Sequence, residues 1–312
     1  MTTGERTRRW RPDWPCPVAQ VLAPQRHGAG DPTYRIDAGG AHWRAFRTPE
    51  GPATLRVRPE PATGEVALSA WGPGADWILT QGPALLGADD DLSGFEARHP
   101  RLAQAWRRRP HWRMGRSGLV VDALIPAVIE QKVTGQEAFA AYRRLVQRYG
   151  EPAPGPAAGE LRLHVQPAPE AIRAIPSWEW LRLPVDGGRW RPLVGATRLA
   201  DTLERAGRRG SAELDRALTG LPGIGRWTSA EVRQRALGDA DAVSFGDYHV
   251  AKDIGWALTG ERIDDDALAV LLEPYRPHRY RVQALLAMAG AGAPRRGPRM
   301  APRRHLPTGS SS

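Results

Sequence analysis

Two glycines straddle a single isoleucine in LPGIGRWTSAEV, Leu221 to Val232, and the sequence on both sides has the period of a helix. Gly220 and Pro222 close the helix before it, and Gly223-Ile224-Gly225 let the backbone reverse within a few residues, so the next helix begins near Arg226. Two helices must therefore stand side by side, joined at one tight end, with Ile224 plugged into the core. The first N–H groups of the second helix then face outward. With no glycine side chain in front of them they can cradle a phosphate; the same residues also suit an ordinary glycine-capped connection.

The rest of the chain gives this hairpin a helical setting. Residues 1–30 are polar and Pro-rich and read as a flexible N-terminal segment. Within 31–105, AHWRAFRT, ATLRVRP and EVALSAW alternate with period two, as half-buried strands do, and the turns near Glu50 and Gly64 separate them as hairpins. GADWILTQGPALLG adds a helix, making a small α+β domain with an antiparallel sheet. Across 106–292 the period is helical: Leu124, Val128, Ile129 and Val133 share one helix, and Phe139, Tyr142, Leu145 and Val146 a second that stops at Gly150. EPAPGPAAGE reads as a Pro/Gly linker, and Ser211 as the N-cap of the helix that Gly220 ends. Residues 293–312 read as a disordered basic tail. The fold class is α+β and mainly α, a small sheet domain followed by an all-helical domain.

Composition narrows the chemistry. Cys16 is the only cysteine, which excludes an intramolecular disulfide, a zinc site built on several thiolates and a four-cysteine iron–sulfur cluster. No apolar run reaches the length of a membrane span and no signal peptide opens the chain, so a cytoplasmic protein is expected. The formal net charge of +10 suits a polyanionic partner through counterion release, although a bias toward Arg, Ala, Gly and Pro gives the same excess. Lys132 and Lys252 are the only lysines.

One helix after the hairpin comes AVSFGDYHVAKDIGWAL, with Gly-Asp-Tyr in a loop at the start of a new helix. Taken together, LPGIGRWT, FGDYHVAK and the earlier LIPAVIEQKVTG resemble the helix-hairpin-helix DNA glycosylases, in particular the DNA-3-methyladenine glycosylase II branch. The resemblance covers most of the chain, strongly in these motifs and loosely elsewhere. It implies a sheet domain ahead of the helical glycosylase domain and makes Asp247 the catalytic carboxylate. A fixed negative charge there would stabilise the oxocarbenium-like sugar that forms as the base leaves, and would orient or deprotonate the attacking water. A position at a helix N-terminus favours the ionised carboxylate. Asp247 also suits a plain N-cap, and the two roles can coexist.

The relatives that also cleave the backbone carry a Schiff-base lysine in the second hairpin helix; here that position is Trp227, so a monofunctional enzyme using water is expected. A glycosylase must flip its base out of the stack. Trp227 is the candidate pocket face, since an indole attracts a cationic alkylated purine, with Tyr248 and His278 as further walls; core packing is the plainer role for a tryptophan. Glu231, one turn past Trp227, stands where an aromatic is expected. On the DNA the resemblance places Gly223, Gly225, Arg226 and Thr228, together with Gln131 and Lys132, the latter in the wedge position. AWRRRPHWRMGR is either a second basic contact or a solvated loop. No cofactor is expected beyond a monovalent cation at the hairpin, and no metal ligand set is identified. The implied partner is double-stranded DNA with damaged bases, bound by a monomer. The alternative is a helix-hairpin-helix protein that binds DNA without chemistry.

Overall fold

The computed structural model describes residues 4–294. The alternating segments form one antiparallel sheet from β1 (Arg6–Trp10), β2 (Tyr34–Ile36), β3 (His42–Thr48), β4 (Gly51–Glu60) and β5 (Glu65–Trp71), in the order β1-β5-β4-β3-β2. A short helix, α1 (Val18–Leu22), follows β1, and α2 (Ala75–Leu85) follows β5. Ile78 and Leu85 of α2 pack with Val18 and Leu22 of α1 onto Phe46, Leu55, Val57 and Leu68, which closes one face of the sheet. Residues 4–30 are thus part of the fold, a correction to the flexible segment expected. RTRRW, exposed along most of its length, carries no apolar alternation, and it is a strand because its backbone pairs with β5.

The other face of the sheet is also covered. The stacked rings of Trp43 and Trp71 lie against Ala153, Ala157, Leu163 and Val165, from the segment containing β6 (Glu151–Pro152) and β7 (His164–Val165). EPAPGPAAGE is accordingly a packed cover for the sheet, where a linker was expected. Gly155, at φ +74°, lets its turn lie on Trp71; a Cβ there would stand 2.4 Å from the indole Cγ. With both faces covered, β3 is buried almost throughout rather than half-buried.

The helices form two apolar clusters. In the first, α4 (Val120–Ile129) is central and buried along nearly its whole length, surrounded by α5 (Gly135–Tyr149), α8 (Gly187–Thr197), α9 (Ala200–Arg209), α10 (Ser211–Thr219) and α11 (Arg226–Leu237). Two short helices, α6 (Pro169–Ala174) and α7 (Ser177–Arg182), add Ile172 and Trp180 to it. In the second, α3 (Pro100–Arg107) packs with α12 (Val250–Thr259), α13 (Asp265–Leu272) and α14 (Arg279–Met288). The region around 95–105 therefore packs with the C-terminal helices, although it was assigned to the sheet domain. Sheet and helices are joined by a buried ion pair, Arg44 Nη2 to Asp122 Oδ2 at 2.8 Å, with side chains 8% and 2% exposed; Gln166 Nε2 also donates to Asp122.

Among the described residues no helix is long and apolar enough to cross a membrane. Most of the basic tail, from residue 295 on, lies outside the described residues.

Candidate active site

The hairpin forms as its glycines require. α10 ends at Gly220, Gly223 turns with φ +80°, and Ile224 is buried in the first cluster. A Cβ on Gly223 would stand 2.3 Å from Pro192 Cγ, so the turn is pressed against α8. Ser211 is the first residue of α10, with Gly210 at the N-cap position; the Ser211 hydroxyl turns to Asp239 instead of capping. Gly225 precedes α11 with open space before its Cα and no side-chain cap, so the first N–H groups of α11 face solvent. Such a terminus carries partial positive charge and suits an anion.

Of the residues expected on DNA, Gln131 and Thr228 have a different role. Gln131 Nε2 donates to the Gly223 carbonyl at 3.1 Å and to Thr228 Oγ1 at 2.8 Å, tying the α4–α5 loop to the hairpin. Thr228 is 2% exposed, and its hydroxyl is held by Gln131. Lys132 comes next, exposed, with φ +52°, a region a lysine rarely enters. Arg226 is exposed, and its Nη2 donates to Asp265 Oδ2 at 2.6 Å while its guanidinium covers the Phe245 ring.

Asp247 stands at the seam between the two apolar clusters, in the loop from α11 to α12. Its Oδ1 accepts the N–H groups of His249 at 2.7 Å and Val250 at 3.1 Å, which caps the start of α12. Its Oδ2 accepts no bond from the protein among the described residues. The carboxylate therefore caps with one oxygen and leaves the other open. Trp227 flanks it: a Cβ on Gly246 would stand 3.9 Å from that of Trp227, and among the described residues this half-buried indole packs into neither cluster.

The other two expected pocket walls differ in setting. Tyr248 is 76% exposed, and Lys252 Nζ sits 3.7 Å above its ring, so it encloses nothing. His278 is 3% exposed, donates from Nε2 to the Ser93 carbonyl at 2.9 Å and lies edge-on to Phe95. It is a satisfied core histidine.

Glu231 extends the Trp227 face of α11 inward and is fully partnered. Its Oε2 pairs with Arg235 at 2.6 Å and its Oε1 accepts the Ser244 hydroxyl at 2.6 Å. Burial works against the Arg235 charge, but the Glu231 and Glu130 carboxylates more than reverse this and raise its pKa above the ordinary value. Gln234 and Gln283 each donate to the Ser244 oxygen, at 2.9 and 3.0 Å, and the Ser244 carbonyl accepts the Asp247 N–H at 3.2 Å. This network and Asp265, whose Oδ2 accepts the Gly246 N–H at 2.6 Å, hold the Asp247 loop from two sides. Neither was singled out in the sequence. Asp265 lies in an IDDD run that looks like any acidic helix start, and nothing local marks Ser244.

The basic run at 105–116 is partly engaged with the protein itself. Arg109 donates to the Met288 carbonyl, Arg113 lies over Trp14 and Arg116 pairs with Asp89.

No family model and no curated protein matches the sequence. By fold, the chain is similar to the 3-methyladenine DNA glycosylase from Archaeoglobus fulgidus, with TM-score 0.73 at 18% identity over 89% of this chain and 97% of that one. The 8-oxoguanine glycosylase/lyase of Clostridium acetobutylicum in its apo-form gives TM-score 0.69 at 10% identity, over 92% and 98%. The Schizosaccharomyces pombe 3-methyladenine DNA glycosylase, solved with abasic DNA, gives 0.50 at 20% identity, over 64% and 94%. At these identities the likeness shows the fold: this chain has the fold of the helix-hairpin-helix DNA glycosylases, as its motifs implied.

Proposed function

We propose that the protein is a monofunctional DNA glycosylase that hydrolyses the N-glycosidic bond of alkylated purines, 3-methyladenine first and 7-methylguanine second. The observation that carries this reading is the open Oδ2 of Asp247, beside Trp227 and one loop away from an uncapped, outward-facing helix N-terminus. In this reading the hairpin amides, Arg226 and Lys132 hold the phosphates of a duplex whose damaged nucleotide is flipped toward Trp227. An N-alkylated purine is cationic, and the indole face attracts it. As the glycosidic bond breaks, the base leaves with its electron pair and positive charge grows on the sugar. Asp247 Oδ2 meets that charge, orients the water that adds to the anomeric carbon and takes the proton that water loses, giving an abasic site and the free base.

Trp227 in place of an amine argues against a Schiff base, and Lys252 is engaged with Tyr248. The related folds include 3-methyladenine enzymes and an 8-oxoguanine glycosylase/lyase, and this substitution favours the hydrolytic kind. Among the described residues no group of three or more His, Cys, Asp or Glu is arranged to hold a metal ion. A cation at the hairpin would therefore rest on main-chain oxygens, a neutral donor set suited to a monovalent ion. The enzyme is proposed to act on double-stranded DNA as a monomer.

Chromatography of bases released from methylated DNA tests the reading. Wild type should free 3-methyladenine, and Asp247→Asn should lose on the order of 100- to 1,000-fold in rate while still binding duplex. Borohydride should trap no enzyme–DNA adduct. Duplex binding without release of any base, from alkylated or deaminated DNA, would leave a protein that only holds DNA.

A further inference from the structure

One oxygen atom links the two halves of the proposed site. Asp265 Oδ2 accepts Arg226 Nη2 and the Gly246 N–H, each at 2.6 Å. Arg226 opens the helix that follows the hairpin, and Gly246 immediately precedes Asp247. Asp265 itself belongs to neither element. It is the first residue of α13, whose N-cap is filled by Asp264, accepting from the Ala267 N–H at 2.9 Å, so Asp265 is free of capping duty. Its side chain is about one-fifth exposed whereas that of Arg226 is largely exposed, so the carboxylate is the anchored partner and the guanidinium the movable one.

We propose that Asp265 is a positioning residue with two separable effects: it fixes the loop that presents Asp247, and it holds Arg226 back from the DNA backbone. The proposal rests on the functional reading of Asp247 given above. The first effect comes from the hydrogen bond to Gly246. At φ +88° this residue sets the direction of the chain into Asp247, and the bond to Asp265 limits its rotation. The second effect comes from charge. Asp265 pairs with Arg226, the first residue of the helix that follows the hairpin, and a phosphate must compete with it for the guanidinium.

These effects move binding and chemistry in opposite directions, which a merely structural role does not do. In Asp265→Ala, Arg226 is released to make one more phosphate contact. Duplex affinity should rise at low salt, and the slope of log K against log salt should steepen by about 0.9. Single-turnover base release should slow by roughly 10- to 100-fold, as for a displaced catalytic group. Asp265→Asn separates the two effects. Its amide oxygen can still accept the Gly246 N–H, so release should stay within about threefold of wild type, while the charge that retains Arg226 is gone and the steeper salt slope remains. Arg226→Ala in the Asp265→Ala background should abolish the gain in affinity.

The experiment is titration of undamaged duplex at several salt concentrations beside single-turnover release from methylated duplex, for wild type and the three variants. Loss of affinity in Asp265→Ala, or release at the wild-type rate, overturns the proposal. If wild type itself releases no base, the functional reading fails, and the salt slopes still decide whether Asp265 restrains Arg226.

Discussion

At the scale of single residues, Glu231 departs furthest from what the neighbouring motif suggests, because an acid replaces a ring on the Trp227 face of α11. The structure resolves this by neutralising it with Arg235 and hydrogen-bonding it to Ser244. The pair is deeply enough buried that removing one partner should be costly. Glu231→Ala, which removes the carboxylate paired with Arg235 and leaves Glu130 as its remaining counter-charge, should lower unfolding free energy by about 3 kcal/mol in urea titrations, and a loss below about 1 kcal/mol would show the pair to be water-screened or Glu130 to suffice. The Asp247 cap was legible in the sequence because it is local: it is made to residues two and three positions on. His278 was misjudged for the converse reason. What surrounds His278 is Phe95 and the Ser93 carbonyl, more than 180 residues earlier, and no local spacing carries that information.

At the scale of elements, the hairpin was readable because glycine and proline act on the backbone directly, whatever the rest of the molecule does. Strand β1 was not, since its arginine-rich sequence has no apolar face and its pairing partner lies some sixty residues on. The end of α4 shows how distant charges settle on one element. Burial raises the pKa of Glu130 there, but the hydrogen bond and charge of His27, with the charge of Arg235, outweigh burial and hold it below the usual carboxylate range. A carboxylate depressed in the folded state contributes stability that is complete above its unfolded value, near 4.5, and is lost as pH falls through the folded value. Wild type should therefore lose Tm more steeply below pH 4.5 than Glu130→Gln does. Parallel Tm curves for the two proteins would contradict that linkage.

At the scale of the whole molecule, the sheet and the helices meet through charge as well as apolar packing. Arg44→Met leaves the Asp122 carboxylate buried without its cation and should cost about 3 to 5 kcal/mol by urea denaturation, with part recovered in Arg44→Met/Asp122→Leu. A neutral Arg44→Met would mean that Gln166 alone satisfies the carboxylate. The net charge of +10 was a weaker guide than it looked. Arg6 and Arg9, near the start of the chain, are paired with Asp76 and Glu65, and Arg8 and Arg11 are held to backbone carbonyls of α2 and Thr63, so part of that basic run is engaged within the protein. The buried Arg44–Asp122 pair has a further consequence for how the chain is made. The last strand of the sheet is complete at Trp71 and α4 follows soon after, but the neighbour that covers α4 along its length, α11, is synthesised about a hundred residues later, roughly 5 to 20 seconds on at typical elongation rates. During that interval the finished sheet, reaching α4 through Arg44, shelters the most apolar helix of the newborn chain, joined by α5, α8, α9 and α10 as each is made.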